Sequence, residues 1–222
     1  GYVQIGSGHR RNQPHSGESV RVSTTIVLFR QDLRLHDHPA LTAAAQRGDV
    51  VPVFIYDPEA AGEWCLGGAS QWWLHESLVS LKNTITKLGG SLIFRYGDTL
   101  ACLQELRKEV NADAIYFSRQ YQPWSPSQEQ SIRSHFDSEG VSVKRFPGTL
   151  LHEPGTVLTG SGTAFKVFTP FWRAANKLTA ASPIALPSVS WTGVSIQTDS
   201  IESWRLRPID KTGERDWADG WD

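Results

Sequence analysis

Residues 29–41, FRQDLRLHDHPAL, crowd Arg30, Asp32, Arg34, His36, Asp37 and His38 into one short stretch directly after an apolar run. Charged side chains are rarely buried without partners, so a core gains nothing from such a cluster. Two uses fit it, and they are compatible. Arg30, Asp32, Arg34 and Asp37 can close an ion-pair knot that shapes the turn, or they can present fixed donors and acceptors to a ligand. Other chemistries lack their motifs. No GxGxxG follows the first apolar run, and no GxxxxGK[ST], HExxH or GxSxG occurs anywhere. His36, His38, His75, His135 and His152 show no metal-ligand spacing and read as surface or capping histidines. Cys65 and Cys102 lie far apart without CxxC spacing, which signals neither a zinc site nor a disulfide framework.

The elements that must hold the cluster alternate in period. TTIVLF (24–29) is a run of consecutive apolar residues, as in a strand covered on both faces. Asp37 is placed to cap a following helix, PALTAAAQRG, which Gly48 closes. VVPVFIYD (50–57) is a second buried strand. A Gly-rich loop then leads to a helix over Ser70–Leu88, with Trp73 or Leu74, Leu78, Leu81, Ile85 and Leu88 on one face. A third strand (91–97), a helix bearing Leu100, Leu103, Leu106 and Val110, a fourth strand (112–118), a helix (127–139) and a fifth strand (141–146) follow. Strands alternating with helices in this way predict an α/β fold: a doubly wound, five-stranded parallel sheet, Rossmann-like, with helices on both faces. Ligands of such sheets sit beyond the carboxyl ends of the strands. FRQDLRLHD, YDPE and SRQYQPW all fall at those ends and should converge on one rim.

The ends of the chain read differently. Residues 1–23 have little apolar periodicity and read as a flexible arm, in which a cleaved targeting remnant pointing to a plastid or other organelle is one option and a tag scar another. Residues 24–177 form the α/β domain. Residues 178–222 alternate Trp with polar, Pro and Gly residues and read as the start of a connector. The formal net charge of -1 gives no general attraction to nucleic acid, and no apolar run approaches the ~18 residues of a spanning helix.

These residues carry a resemblance to a known family. FRQDLRLHDHPAL resembles the W-F-R-R-D-L-R-L-x-D-N-P-A-L signature at the first strand of the DNA photolyase and cryptochrome family. GGASQWWLHESLVSL, LGGSLIFRYGD, SRQYQPW and LLHEPGTVLTGSGTAFKVFTPFWRA continue the likeness in the family's order and spacing across Thr24–Lys177. The resemblance implies the N-terminal antenna-type domain of a FAD-dependent, blue-light photolyase that repairs pyrimidine dimers, or of a cryptochrome photoreceptor. The alternative is a stand-alone, non-enzymatic structural or interaction module.

On the first reading the FAD site lies outside this chain, in a C-terminal helical domain or an equivalent protein partner. The chain alone is then expected to be inactive and to touch DNA only weakly, through Arg10, Arg11 and Arg21 in the arm and Lys166 and Arg173 near the partner surface. Trp72 and Trp73 are expected in packing between elements, and Trp172, Trp191 and Trp204 on a face turned to the helical domain.

The resemblance also implies an antenna chromophore, a folate, deazaflavin or flavin, near Arg30, Asp32, Leu33, Arg34, Asp57, Arg119, Gln120 and Gln122. Here the chain departs from the family's pattern. It reads Ser118-Arg119-Gln120-Tyr121-Gln122-Pro123 where relatives commonly read N-R-x-Y-E-P, and Gln71 stands where many place Arg. Replacing a ligand-facing carboxylate by Gln loses a charge-assisted hydrogen bond of about 1.5–3 kcal/mol. The substitutions therefore predict a weakened or empty chromophore site.

Overall fold

The computed structural model describes residues 23–207. The expected arm therefore lies outside the described residues except for Ser23, as do Arg10, Arg11 and Arg21, and so do residues 208–222 of the connector. The elements run β1 (Ser23–Phe29), α1 (Pro39–Ala45), β2 (Gly48–Tyr56), α2 (Gly68–Lys87), β3 (Ile93–Tyr96), α3 (Thr99–Val110), β4 (Ala114–Ser118), α4 (Ser125–Ser138) and β5 (Ser142–Phe146). They are followed by α5 (Phe168–Ala175) and the short strand β6 (Ser190–Trp191). Pairing is parallel throughout the sheet, in the order β3-β2-β1-β4-β5, with β6 beside the start of β2.

Alternation along β1 explains why the sheet is covered twice. Val27 and Phe29 face one way, into a core with Leu41 and Ala44 of α1 and Leu78, Leu81 and Ile85 of α2. Ile26 and Leu28 face the other way, into a core with Leu103 and Leu106 of α3 and Ile132 and Phe136 of α4. Successive side chains of a strand point to opposite faces, so a run of consecutive apolar residues needs helices on both. This is the doubly wound α/β architecture that the periodicity predicts. The chain moves outward from β1 through β2 to β3, then returns to the far side of β1 as β4. Strand order thus reverses between β1 and β4, and the crevice of the fold opens there.

Several local expectations are corrected. His38, not Asp37, caps α1: its Nδ1 accepts from Leu41 N at 3.1 Å. Pro39 at the first helical position fixes which residue precedes the helix, and that residue is His38. Asp37 sits one place too early, with φ 50, and pairs with Ile184 through both its backbone and its carboxylate. Gly48 opens β2 rather than ending α1, and a side chain there would meet Ser23 O at 2.4 Å. On α2 the buried aromatic is Trp72, whereas Trp73 and Leu88 are exposed.

The segment after residue 178 returns to the sheet. Trp191 pairs beside Val50 and donates its indole N–H to Leu88 O at 3.0 Å, lying so close to Gly90 that a Cβ there would meet the ring at 2.6 Å. Phe94 N donates to Thr198 Oγ1, Asp199 N donates to Phe94 O, and the Arg95 guanidinium donates to Gln197 O. These bonds cover the open edge of β3, which would otherwise offer unpaired backbone groups. Ile201, Trp204 and Leu206 then enter the core. Trp204 stacks on Tyr56 and meets Phe94 edge-on, so it is a core residue and not part of a face turned outward. Trp172 does stay exposed, on α5. No helix among the described residues is long and apolar enough to cross a membrane.

Candidate functional site

The rim beyond β1 and β4 is built from two kinds of polar group. The first kind is spent on the protein itself. Asp32 is buried, accepts from Arg30 N at 2.9 Å and faces His38 Nε2 at 3.0 Å. Because His38 Nδ1 accepts from α1, its ring proton is assigned to Nε2, toward Asp32. Burial pushes the Asp32 carboxyl up, but the contacts with His38, Ser118 and the Arg30 N–H outweigh it and hold the group well below the usual carboxylate range. Arg34 donates to Asp37 O at 2.9 Å and Gly148 O at 2.5 Å, tying the β1 turn to the loop after β5. Arg119 pairs with Glu153 at 3.0 Å, and Tyr121 donates to the same carboxylate at 2.5 Å. Gln122 donates to Gln31 at 2.5 Å. None of Asp32, Arg34, Arg119 or Gln122 lines the crevice cavity.

The knot expected among Arg30, Asp32, Arg34 and Asp37 does not close on itself: only Arg34 and Asp37 approach as an ion pair within it, at 4.0 Å, while Arg30 and Asp32 take partners outside it. Arg30 belongs to a network centred on Glu129 of α4, 2% exposed, which takes Arg30 Nη2 on one oxygen at 2.6 Å and Arg145 on the other at 3.1 Å. Arg30 Nη2 also donates to Ser118 O, at the end of β4. Its guanidinium lies over the Phe117 ring, 4.8 Å from the centroid. Burial lowers the Arg30 pKa, and the Glu129 carboxylate opposes that by favouring the charged form. Glu129 and His38 were missed as partners by sequence reasoning. The signal for Glu129 was a carboxylate in register with Ile132 and Phe136 on the buried stripe of α4.

The second kind of group faces a cavity of about 890 Å³. Its floor is the carboxyl ends of β1 and β2, including Leu28, Phe54 and Tyr56; its walls are the loop after β2, the start of α2, and Gln120, Trp124 and Gln128 around α4. The structure brings Arg30, Leu33, Asp57 and Gln120 to it from the eight expected positions. Asp57 accepts from Ala60 N, Thr99 N and Thr99 Oγ1, so its carboxylate clamps two loops together. Gln71 lines the cavity and donates to Leu66 O at 2.9 Å. Trp64, Trp73 and Trp124 supply aromatic wall, a role that periodicity could not show. Their signal was position, since Trp64 lies within the Gly-rich loop that leaves the carboxyl end of β2, Trp73 lies just beyond it, and Trp124 lies beyond the carboxyl end of β4.

A slot of this size, mostly apolar with few polar groups, falls within the range of sites for planar organic ligands. The residues fit a planar aromatic group: Trp64, Trp73, Trp124 and Tyr56 line the slot, and Gln120 brings a side-chain amide to it.

The profile of the DNA photolyase family matches residues 25–188. The chain is similar to a deoxyribodipyrimidine photo-lyase of Agrobacterium fabrum, 36% identical over 91% of this chain and 42% of that protein. It is also similar to cryptochrome-2 of Arabidopsis thaliana, 32% identical over 87% of this chain and 29% of that protein. The solved structure of a bacterial class III photolyase from Agrobacterium tumefaciens superposes with a TM-score of 0.82 at 36% identity, covering 90% of this chain and 41% of that one. The chain thus spans about two fifths or less of the length of these relatives.

Proposed function

The chain belongs to the DNA photolyase family, and from that premise we propose that it is the light-gathering α/β domain of a blue-light photolyase or cryptochrome. The crevice cavity would seat an antenna chromophore, with FAD and the light-driven chemistry held by the helical portion of the parent protein. The observation that carries this reading is the aromatic-walled cavity of about 890 Å³ at the point where strand order reverses.

Energy transfer requires a chromophore fixed in distance and angle rather than acid or base catalysis. The surroundings of the cavity supply that rigidity, because the Arg30–Glu129–Arg145 network and the Asp57 clamp lock its floor and one wall. The bound group would absorb near-ultraviolet or blue light. Arg30, Leu33, Asp57 and Gln120 would hold or frame it, with Trp64, Trp73 and Trp124 against its faces.

Gln122, the position at which the family's carboxylate is replaced, binds Gln31 and does not line the cavity. That replacement acts at one remove, through Gln31, which lines the cavity, whereas Gln71, where many relatives place Arg, lines it directly. The reading is accordingly of a site that seats its chromophore without a charge at either position. The exposed apolar side of α5, with Val167, Phe168 and Trp172, supports the remaining element of the proposal, a contact with further protein.

The test is the absorption and fluorescence spectrum of the purified chain, repeated on the supernatant after denaturation. A near-ultraviolet or blue band released at about one equivalent is expected. A bare tryptophan spectrum, persisting after incubation with folate and flavin chromophores, would favour an interaction module without a chromophore.

A further inference from the structure

One part of the cavity wall is tied down far less than the rest. Asp57 pins the start of the loop after β2 by accepting from Ala60 N. Beyond Ala60 the loop bonds to itself: Gly62 N donates to Glu59 O, Trp64 N to Ala61 O and Cys65 N to Gly62 O, closing a single turn of 3-10 helix over Gly62–Trp64. Among the described residues, the one hydrogen bond that ties residues 61–66 to another element runs from Gln71 Nε2 of α2 to Leu66 O at 2.9 Å. The stretch ends on Gly67 and Gly68, where a Cβ would meet nothing within 4 Å, so no neighbouring atom crowds the backbone there.

The same stretch turns apolar surface to water. Trp64 is 68% exposed, Leu66 is exposed too, and both line the cavity together with the exposed Cys65. Apolar groups that border a slot gain by being covered. Resting on the antenna reading, we propose that residues 61–66 are a lid, hinged at Gly67–Gly68, that closes over an occupied cavity and lays Trp64 and Cys65 against the ligand. The structure describes the open position, in which Gln71 holds Leu66 O. A planar ligand offers Trp64 a surface to cover, so occupancy favours the closed position. The lid then sets how long a chromophore stays, while the Asp57 clamp and the Glu129 network set where it sits.

Gly68→Pro tests the hinge without disturbing the helix. Gly68 is the first residue of α2, and Gly67 before it is extended at φ -72 and ψ 167, as a following proline requires. The substitution fits the open position and blocks rotation out of it, so the melting midpoint should not fall. Riboflavin at saturation is the probe. The readout is the rate at which iodoacetamide alkylates Cys65, resolved by mass spectrometry, with the buried Cys102 as internal reference.

Riboflavin should slow alkylation of Cys65 by about tenfold in the unmodified chain and by under about twofold in Gly68→Pro, from which it should also dissociate about tenfold faster. Trp64→Ala, at an exposed side chain, should strip the protection in the same way. Equal protection in all three chains would overturn the lid and leave the antenna reading intact, since the ligand alone would then shield the thiol. Absence of protection in the riboflavin-bound unmodified chain would do the same. Failure of riboflavin to bind the unmodified chain would overturn both.

Discussion

The two halves of the rim carry similar residue types and use them in opposite ways. On the β4–β5 side, Asp32, Arg34, Arg119 and Gln122 are spent on His38, Gly148 O, Glu153 and Gln31. On the cavity side, Gln120 keeps a side-chain amide nitrogen without a partner among the described residues, near walls of Trp64, Trp73 and Trp124. Charge at a strand end therefore does not by itself mark a site. Hydrogen-bonding capacity left over beside an apolar slot does.

The comparison can be broken most sharply at its shared centre. Glu129→Ala leaves Arg30 buried without its carboxylate, which should cost about 3–5 kcal/mol in a urea titration. Arg119→Ala, at a half-exposed pair, should cost under about 1 kcal/mol. Equal losses would mean that the two halves are not built differently.

Acid tests the closed half next. The Asp32 carboxyl sits below its usual range when folded, so its contribution is present above the unfolded value of about 3.9 and is lost as pH falls through that value toward the folded one. Thermal melts from pH 6 down to pH 2 should show this loss, and Asp32→Asn should flatten that limb while lowering stability at neutral pH.

The open half is tested with Trp73→Ala. At 67% exposure the change should move the melting midpoint little, within about 0.5 kcal/mol. Loss of a stacking face should nonetheless weaken chromophore binding by about 1–3 kcal/mol, as for other aromatic stacking platforms, measured by fluorescence titration. The smallest effect is expected from Gln122→Glu. Restoring the family's carboxylate outside the cavity should leave chromophore affinity within about twofold, and a large gain would place that position in the ligand's reach after all.

Much of the fold was legible because period and strand coverage are local properties of the chain. Consecutive apolar residues in TTIVLF and VVPVFIYD required coverage on both faces, and the helices between them carried their apolar stripes within a residue or two of the observed bounds. The return of Trp191 and Trp204 to the sheet was not legible. The segment around them has no sustained period, and its burial depends on an edge of β3 that exists only once the sheet is formed.

The same division runs through the site. The sequence alone determined that a polar rim stands beyond β1, β2 and β4, since parallel strand direction and the position of charge at the strand ends follow from the alternation of strands and helices along the chain. Only the tertiary structure decided which of those groups are occupied. Glu129 reaches Arg30 across 99 residues, His38 turns inward to Asp32 because Pro39 sets the helix start, and Asp57 is claimed by Thr99. A side chain's free hydrogen-bonding capacity is what its neighbours leave over, and those neighbours are assembled by packing.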